Sequence, residues 1–241
     1  MDTELFSTHL KWMTQGTTLF GEGLLLLDPE EHERPSLLES WSVSHLIAHV
    51  NSNARALVNL TVWASTGVEN PMYQSNEKRA TDIHEGAKRP LTRLMDDFHV
   101  SSREFYDGIT ALSTGQLDFK VKSARGRDIP VSDAVWIRIR EVWIHAVDLA
   151  VDIGFSQFPA ALLDALMDDV VSGFSVRENH PNLELVAKDV SRTWNLGTPD
   201  LAVVVEGSEH AILGWLLGRG DGSNLNFGTP QGLAPILPAW L

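Results

Sequence analysis

The sequence contains no cysteine, and this absence excludes several kinds of chemistry. None of its 241 residues is Cys, so neither a disulfide framework nor a cysteine nucleophile is available. Basic residues are also scarce, with 19 Lys and Arg against 32 Asp and Glu, for a net charge of -13. Nucleic acids and anionic membrane surfaces are bound by clustered Lys and Arg, and no basic run here exceeds two residues. We therefore expect no nucleic-acid partner and no membrane partner.

Long apolar runs are missing as well. The run at residues 24–27 is far shorter than the ~20 residues that cross a bilayer. The first residues carry acids and lack the basic and apolar regions of a signal peptide, so we expect a cytoplasmic protein. Apolar residues make up 43% of the chain and charged residues 21%, as is typical of a globular protein with a substantial core.

Residues 1–155 carry apolar side chains at helical spacing. The pattern predicts four long helices joined by polar connections, which indicates a four-helix bundle. Residues 68–89 are polar and mixed, and we interpret them as a loop that holds one short helix at most. The predicted helices are 5–26, 42–65 with a serine cap and Gly67 as its end, about 90–112 with Pro90 in its first turn, and about 131–152 with Gly154 as its stop.

The pattern changes after residue 155. A helix is followed by short β-like runs and then by a second, shorter helix, which predicts a smaller α+β domain over residues 156–241. The fold class is therefore α followed by α+β. The predicted elements are a helix at 160–177, strands at 183–187, 191–196 and 201–206, a helix capped by Ser208 that runs to 217, and a last strand near 225–227.

A possible metal site is spread over two of the predicted helices. Glu141 and His145 stand one turn apart on one helix face, which Asp148 extends, and the residues between them are apolar. The second helix offers either His45 or His49, again four residues apart. Two histidines and one carboxylate match a catalytic zinc site with an open fourth position. The same donors also suit iron, nickel or manganese.

Ordinary charge pairing is the alternative to a metal. Glu141 has Arg138 and Arg140 within one turn, and a protonated histidine would also serve as its partner. Burial of unpaired ionisable groups costs roughly several kcal/mol per ion. Either a metal or an ion pair would offset that cost. The spacing alone leaves both interpretations open.

Two motifs give the sequence a resemblance to a known family. They are Trp41-Ser-Val-Ser-His-Leu-Ile-Ala-His49 and Arg140-Glu-Val-Trp-Ile-His-Ala-Val-Asp148. Together they resemble the DinB-like metal-binding helical bundles and, more closely, the mycothiol-dependent maleylpyruvate isomerases. The resemblance covers the whole chain, including Trp215-Leu-Leu-Gly-Arg219. It implies that His49, rather than His45, joins Glu141 and His145 as ligands of one zinc ion with an open position.

The resemblance also implies an activity. The family isomerises maleylpyruvate to fumarylpyruvate in gentisate-type aromatic breakdown, with mycothiol as the thiol cofactor. A zinc-activated thiolate would add to the alkene, the former double bond would rotate, and elimination would follow. Arg219 is then the candidate for stabilising the enolate, although an arginine beside glycines at a helix end is also an ordinary capping residue. Asp148 is expected to orient His145 or to contact the thiol, and His45 to act as a neighbour of the ligands.

Two other functions remain open at this stage. A mycothiol S-transferase would share the thiol site and differ in its second substrate, whereas a non-enzymatic metal-binding module would bind metal without thiol. The expected partners of the isomerase are mycothiol and a small dicarboxylate. The sequence leaves the oligomeric state open, and a monomer is compatible with it.

Overall fold

The computed structural model describes residues 2–28, 30 and 32–240. The chain divides into a first unit, Met1–Ile153, and a second unit, Gly154–Leu241. The first unit contains the elements α1 (Thr3–Leu25), α2 (Val43–Thr66), α3 (Asn76–Ala87), α4 (Leu91–Thr110), α5 (Thr114–Leu117), β1 (Lys120–Lys122), β2 (Asp128–Pro130) and α6 (Asp133–Asp148). The two short strands pair antiparallel as a hairpin.

The four long helices α1, α2, α4 and α6 form the predicted bundle. Helix α2 packs against α4 and α6, and α1 packs against α6 and α4. Buried side chains such as Phe20, Leu57, Phe98 and Ile139 fill the space between them. Gly16 of α1 allows α6 to come close, because a Cβ there would lie only 2.5 Å from ring atoms of Trp143. The close packing fixes the position of α6, which carries most of the site described below.

Local signals set the ends of α2 as the sequence predicts. The Ser42 hydroxyl caps its start by accepting a hydrogen bond from the His45 backbone N–H at 3.3 Å. Gly67 ends it in the left-handed conformation, with φ of 74°. Both ends of the helix that carries His49 are therefore defined by residues next to them in sequence.

The predicted end of α6 is wrong. The helix stops at Asp148 rather than near residue 152, and Gly154 is not its stop. Arg34 donates from Nη2 to the carbonyl oxygens of Leu149 at 2.7 Å and of Ala150 at 3.2 Å. Ala150 has a positive φ of 52°, which turns the chain away from the helix axis. A distant segment thus satisfies the carbonyls at this end.

Helix α3 is longer than the polar segment suggested. Its twelve residues lie within the stretch interpreted as a loop, and it packs on α2. Among its residues Ile83 and Ala87 are buried, so its apolar face is too narrow to produce a clear helical pattern. Ser75 caps its start by accepting a hydrogen bond from the Lys78 N–H at 3.1 Å.

The second unit has the predicted α+β composition. Its elements are α7 (Ala160–Ser175), β3 (Leu183–Ala187), β4 (Arg192–Leu196), β5 (Val203–Gly207), α8 (Glu209–Leu216) and β6 (Asn226–Phe227). The strands form one sheet in the order β4-β3-β5-β6, in which β3 and β5 are parallel and the other pairs are antiparallel. Helix α7 contacts β4, and α8 contacts β3 and β5. Within the described ranges, no helix is long and apolar enough to cross a membrane.

Candidate metal centre

Three side chains from α2 and α6 converge inside the first unit. One ligand atom from each of His49, Glu141 and His145 lies within 4.8 Å of the other two. Glu141 is at the centre, with its Oε2 atom 2.9 Å from His49 Nε2 and 3.3 Å from His145 Nε2. Both histidines are buried, and the Glu141 side chain is 18% exposed. The ring planes of His49 and His145 are almost perpendicular, with an angle of 82° between them.

The local sequence explains why these groups point at one another. Glu141 and His145 are four positions apart, which places both on one face of α6, and the apolar Val142 and Ile144 between them are buried in the core. His49 lies in a buried stretch of α2 that packs on α6. The ligand face of α6 is therefore turned toward α2 by the burial of its apolar residues.

The central carboxylate oxygen suits a cation. Glu141 Oε2 is buried and accepts no well-formed hydrogen bond, although both Nε2 atoms are within 3.3 Å of it. A buried oxygen without a partner is costly, and a divalent ion between the three donors would satisfy it. Two imidazoles and one carboxylate are a donor set that catalytic zinc uses, with one position open. These residues can thus hold a metal ion.

Asp148 contacts the ring of His145. Its Oδ2 atom lies 2.7 Å from His145 Nδ1, and its side chain is fully buried. A carboxylate that accepts from Nδ1–H leaves Nε2 free to bind a metal and keeps the ring in one orientation. This contact is the one expected of a residue that orients His145, and the role of Asp148 stays a prediction.

The protonation states follow from the charges packed together. Burial raises the pKa of Glu141, but His49 and His145 outweigh that effect and hold it well below its usual value. Burial lowers the pKa of His145, but the carboxylates of Asp148 and Glu141 beside it prevail and raise it to about 9. Burial lowers the pKa of His49 despite the nearby Glu141. Without metal, a proton on His145 offsets the negative charge of Glu141.

Sequence reasoning missed three groups around His49. Arg79 of α3 places Nη2 at 3.1 Å from His49 Nδ1, and its Cζ atom lies 5.4 Å from the centre of the Tyr73 ring. The indole of Trp41 packs edge-on against His49, with ring centres 5.3 Å apart. Arg79 and Tyr73 lie in the segment interpreted as a loop, where no periodic pattern marked them. Trp41 belonged to a motif but had no assigned role.

His45 lies outside the group of three ligands, and Arg219 belongs to the second unit. His45 Nδ1 is 2.8 Å from the Ser42 hydroxyl, and its ring lies 5.7 Å from that of His84, outside the group of three. Arg219 belongs to the second unit and follows α8, where its Nη1 donates to the Leu217 carbonyl at 2.5 Å. This is the contact expected of a capping residue. A catalytic role for Arg219 stays a prediction.

Residues 15–150 match the family described as "Mycothiol maleylpyruvate isomerase N-terminal domain". This range includes both α2 and α6, so it covers the whole group of three candidate ligands. The comparison with curated protein sequences gives no match.

Two crystal structures are similar to the chain over nearly all of its length. One is described as the mycothiol-dependent maleylpyruvate isomerase, with 34% identity, coverage of 98% of this chain and 97% of that chain, and a TM-score of 0.91. The other is a histidine-to-alanine mutant of a protein of the same description, with 33% identity, the same coverages and a TM-score of 0.91. The similarity therefore extends over both units.

Proposed function

The chain belongs to the mycothiol maleylpyruvate isomerase family, and from this premise we propose that it converts maleylpyruvate to fumarylpyruvate with mycothiol as its thiol cofactor. The observation that carries the proposal is the cluster of His49, Glu141 and His145 around a carboxylate oxygen that lacks a hydrogen bond. We assign these three residues as metal ligands and zinc as the metal.

The reaction needs a nucleophile because an intact double bond does not rotate. A thiolate adds to one alkene carbon, and the electron pair moves to the conjugated carbonyl oxygen as an enolate. After rotation about the new single bond, the pair returns, the double bond re-forms and the thiolate leaves. The chain has no cysteine, which agrees with an external thiol. A divalent metal at the group of three would lower the pKa of that thiol.

The protein residues supply positioning and charge. Asp148 holds His145 in the orientation that exposes Nε2. Arg79 places a guanidinium beside His49, which suits a carboxylate of a dicarboxylate substrate in a protein of net charge -13. We assign Arg219 to the oxygen on which negative charge develops during addition.

The test of the function is a paired assay of activity and metal content. Isomerisation of maleylpyruvate should require both mycothiol and bound metal, and removal of either should abolish it. His49→Ala should lose both metal and activity. His45→Ala is the matched control for metal content, because His45 lies one turn away on α2 and outside the group of three. Full activity of the metal-free protein would refute the proposal.

The second substrate decides between the isomerase and a transferase. Assays with mycothiol and an alkyl halide in place of maleylpyruvate should give no S-conjugate above the uncatalysed rate. Efficient conjugation without isomerisation would instead identify a mycothiol S-transferase. Tight metal binding without any calorimetric signal for mycothiol would identify a metal-binding module.

Arg219 can be tested separately from the metal. Arg219→Lys keeps a positive charge at the end of α8 but loses the planar pair of donors. We expect most of the activity to disappear while metal content and thermal stability stay normal. Retention of activity would leave Arg219 with its capping role alone.

A further inference from the structure

A cavity lined by both apolar and polar side chains lies in the first unit, between α1, α4 and α6. It has a volume of about 200 Å³ and shares no lining residue with the metal-ligand group. For comparison, an apolar cavity of roughly 150 Å³ accommodates benzene. The polar and charged residues that line it include Thr17 of α1, His99, Ser102 and Arg103 of α4, and Arg138 of α6. No Asp or Glu is among the described residues that line it.

Arg138 is the charged group of this cavity, and it is held rigidly. Its side chain is 1% exposed, and Nη1 donates to the Val50 carbonyl at 2.7 Å and to Asn53 Oδ1 at 3.2 Å. Nη2 donates to the Ser102 hydroxyl at 3.0 Å. The Nε–H is buried and has no hydrogen-bond partner. The guanidinium is thus clamped to α2 and α4 while one strong donor stays unused.

The positive charge of Arg138 is not balanced by an ion pair. In the part of the chain that the structure describes, no carboxylate lies within salt-bridge distance of it. Glu141 acts on Arg138 at longer range and is already engaged with His49 and His145. Burial lowers the pKa of Arg138 to about 10, which leaves it charged at neutral pH. A buried charge without a counter-ion is costly.

The other lining groups complement a negative ligand. The Ser102 hydroxyl oxygen accepts from Arg138, so its own hydrogen is free to donate. Thr17 adds a half-buried hydroxyl, and the exposed Arg103 and His99 add cationic or polar groups. We propose that this cavity binds a small oxyanion, either a carboxylate or a phosphate, with Arg138 as its counter-charge and Thr17 and Ser102 as hydrogen-bond donors.

The proposal does not depend on the isomerase activity, and binding measurements test it directly. Inorganic phosphate, followed by phosphorus NMR, and acetate, followed by carbon NMR, are titrated into the metal-loaded full chain at constant ionic strength set with chloride. The NMR resonance of at least one anion should broaden until binding saturates, with a dissociation constant on the order of 1 mM. Saturation by phosphate alone or by acetate alone assigns the class of ligand. Saturation by neither refutes the site.

Variants locate the binding within the cavity. Thr17→Leu fills the cavity with a larger apolar side chain and should weaken binding at least tenfold. Thr92→Leu, at an exposed position of α4 outside the lining, should leave binding unchanged. The same Thr17-dependent binding should persist in His49→Ala, which separates it from anion binding at a metal. Equal affinity in wild type and Thr17→Leu would overturn the proposal.

A direct signal from Arg138 avoids replacing a buried residue. Its guanidinium lines the cavity, so its N–H resonances, including that of Nε, should shift when the anion places a negative charge beside it. Ser102→Ala should weaken binding by a smaller factor than Thr17→Leu, because it removes one donor without filling the space. An unchanged Nε–H resonance at anion saturation would show that the ligand lies elsewhere.

Discussion

Helix α6 carries two buried charged sites one turn apart, and they balance their charge in different ways. At the first, Glu141 and Asp148 face His145, whose pKa rises to about 9, so its proton offsets one of the two carboxylate charges. At the second, Arg138 meets a backbone carbonyl, an amide oxygen and a hydroxyl, all of them neutral. The first site thus pairs opposite charges in direct contact, and the second does not.

The difference follows from the chemistry of the side chains. Histidine gains or loses a proton near neutral pH, so the proton on His145 can be exchanged for a metal ion. Arginine does not deprotonate in proteins, so the charge on Arg138 is permanent, and Glu141 offsets it only at longer range. We infer that α6 presents a cation site on its α2 side and an anion site toward α1 and α4.

The largest expected effect comes from Glu141→Gln, which removes the central charge of the first site at nearly constant shape. Metal affinity should fall more than a hundredfold, and activity by roughly a thousandfold or more. Elemental analysis of purified protein and the isomerase assay measure both. Glu104→Gln, at an exposed position on α4, is the control. Normal metal content in Glu141→Gln would remove this residue from the ligand group.

Arg138→Met tests the second site and should act on stability instead of metal content. It leaves the Val50 carbonyl, Asn53 and Ser102 without their buried donor, so we expect a loss of about 2–4 kcal/mol in the free energy of unfolding. Arg103→Met should change it by less than about 0.5 kcal/mol, because Arg103 is exposed. Urea denaturation gives both values. Equal stabilities would mean that the desolvation cost of Arg138 cancels its hydrogen bonds.

Asp148→Asn weakens the support of the first site without removing a ligand. The amide lacks the negative charge that favours Nδ1–H on His145, so metal affinity should fall by roughly 10- to 100-fold. Competition with a chelator of known affinity measures the change. Asp96→Asn, on the exposed face of α4, should have no effect. An unchanged affinity in Asp148→Asn would limit Asp148 to a structural role.

Local sequence signals predicted much of this arrangement. Ser42 and Gly67 set the ends of α2, and the spacing of Glu141 and His145 placed both on one face of α6. Periodicity could not choose between His45 and His49, since both lie on the same face of α2. That choice came from the family resemblance, and the structure brings His49 to Glu141.

Contacts between distant segments account for the features that sequence reasoning missed. Arg138 was considered a partner of Glu141, but its guanidinium bonds to groups 36 to 88 residues away. Arg79 reaches His49 across 30 residues from a helix with a weak apolar pattern. The carbonyls just beyond α6 accept hydrogen bonds from Arg34, more than a hundred residues earlier. No local pattern encodes such pairings, because each depends on how helices pack.

The smallest expected effect concerns the proton that balances the first site. In metal-free protein the pKa of His145 is raised from 6.5 to about 9, so its stabilising contribution is complete below pH 6.5 and is lost as pH rises through 9. The pKa of His49 is lowered, so its effect on stability has the opposite sign and falls below pH 6.5. The two histidines therefore affect Tm in different pH ranges. Calorimetry of chelator-treated protein should show Tm falling by on the order of 5 °C between pH 6.5 and 9.

Two comparisons assign that fall in Tm to His145. His145→Gln cannot take up the proton, so the Tm of its metal-free form should not fall between pH 6.5 and 9. The Tm of the metal-loaded wild type should not fall either, because the ion replaces the proton beside Glu141. A metal-free Tm that is flat over this range would mean that Glu141 is balanced by another charge. Arg138, one turn away and permanently charged, would then be its partner, and the two sites of α6 would be one.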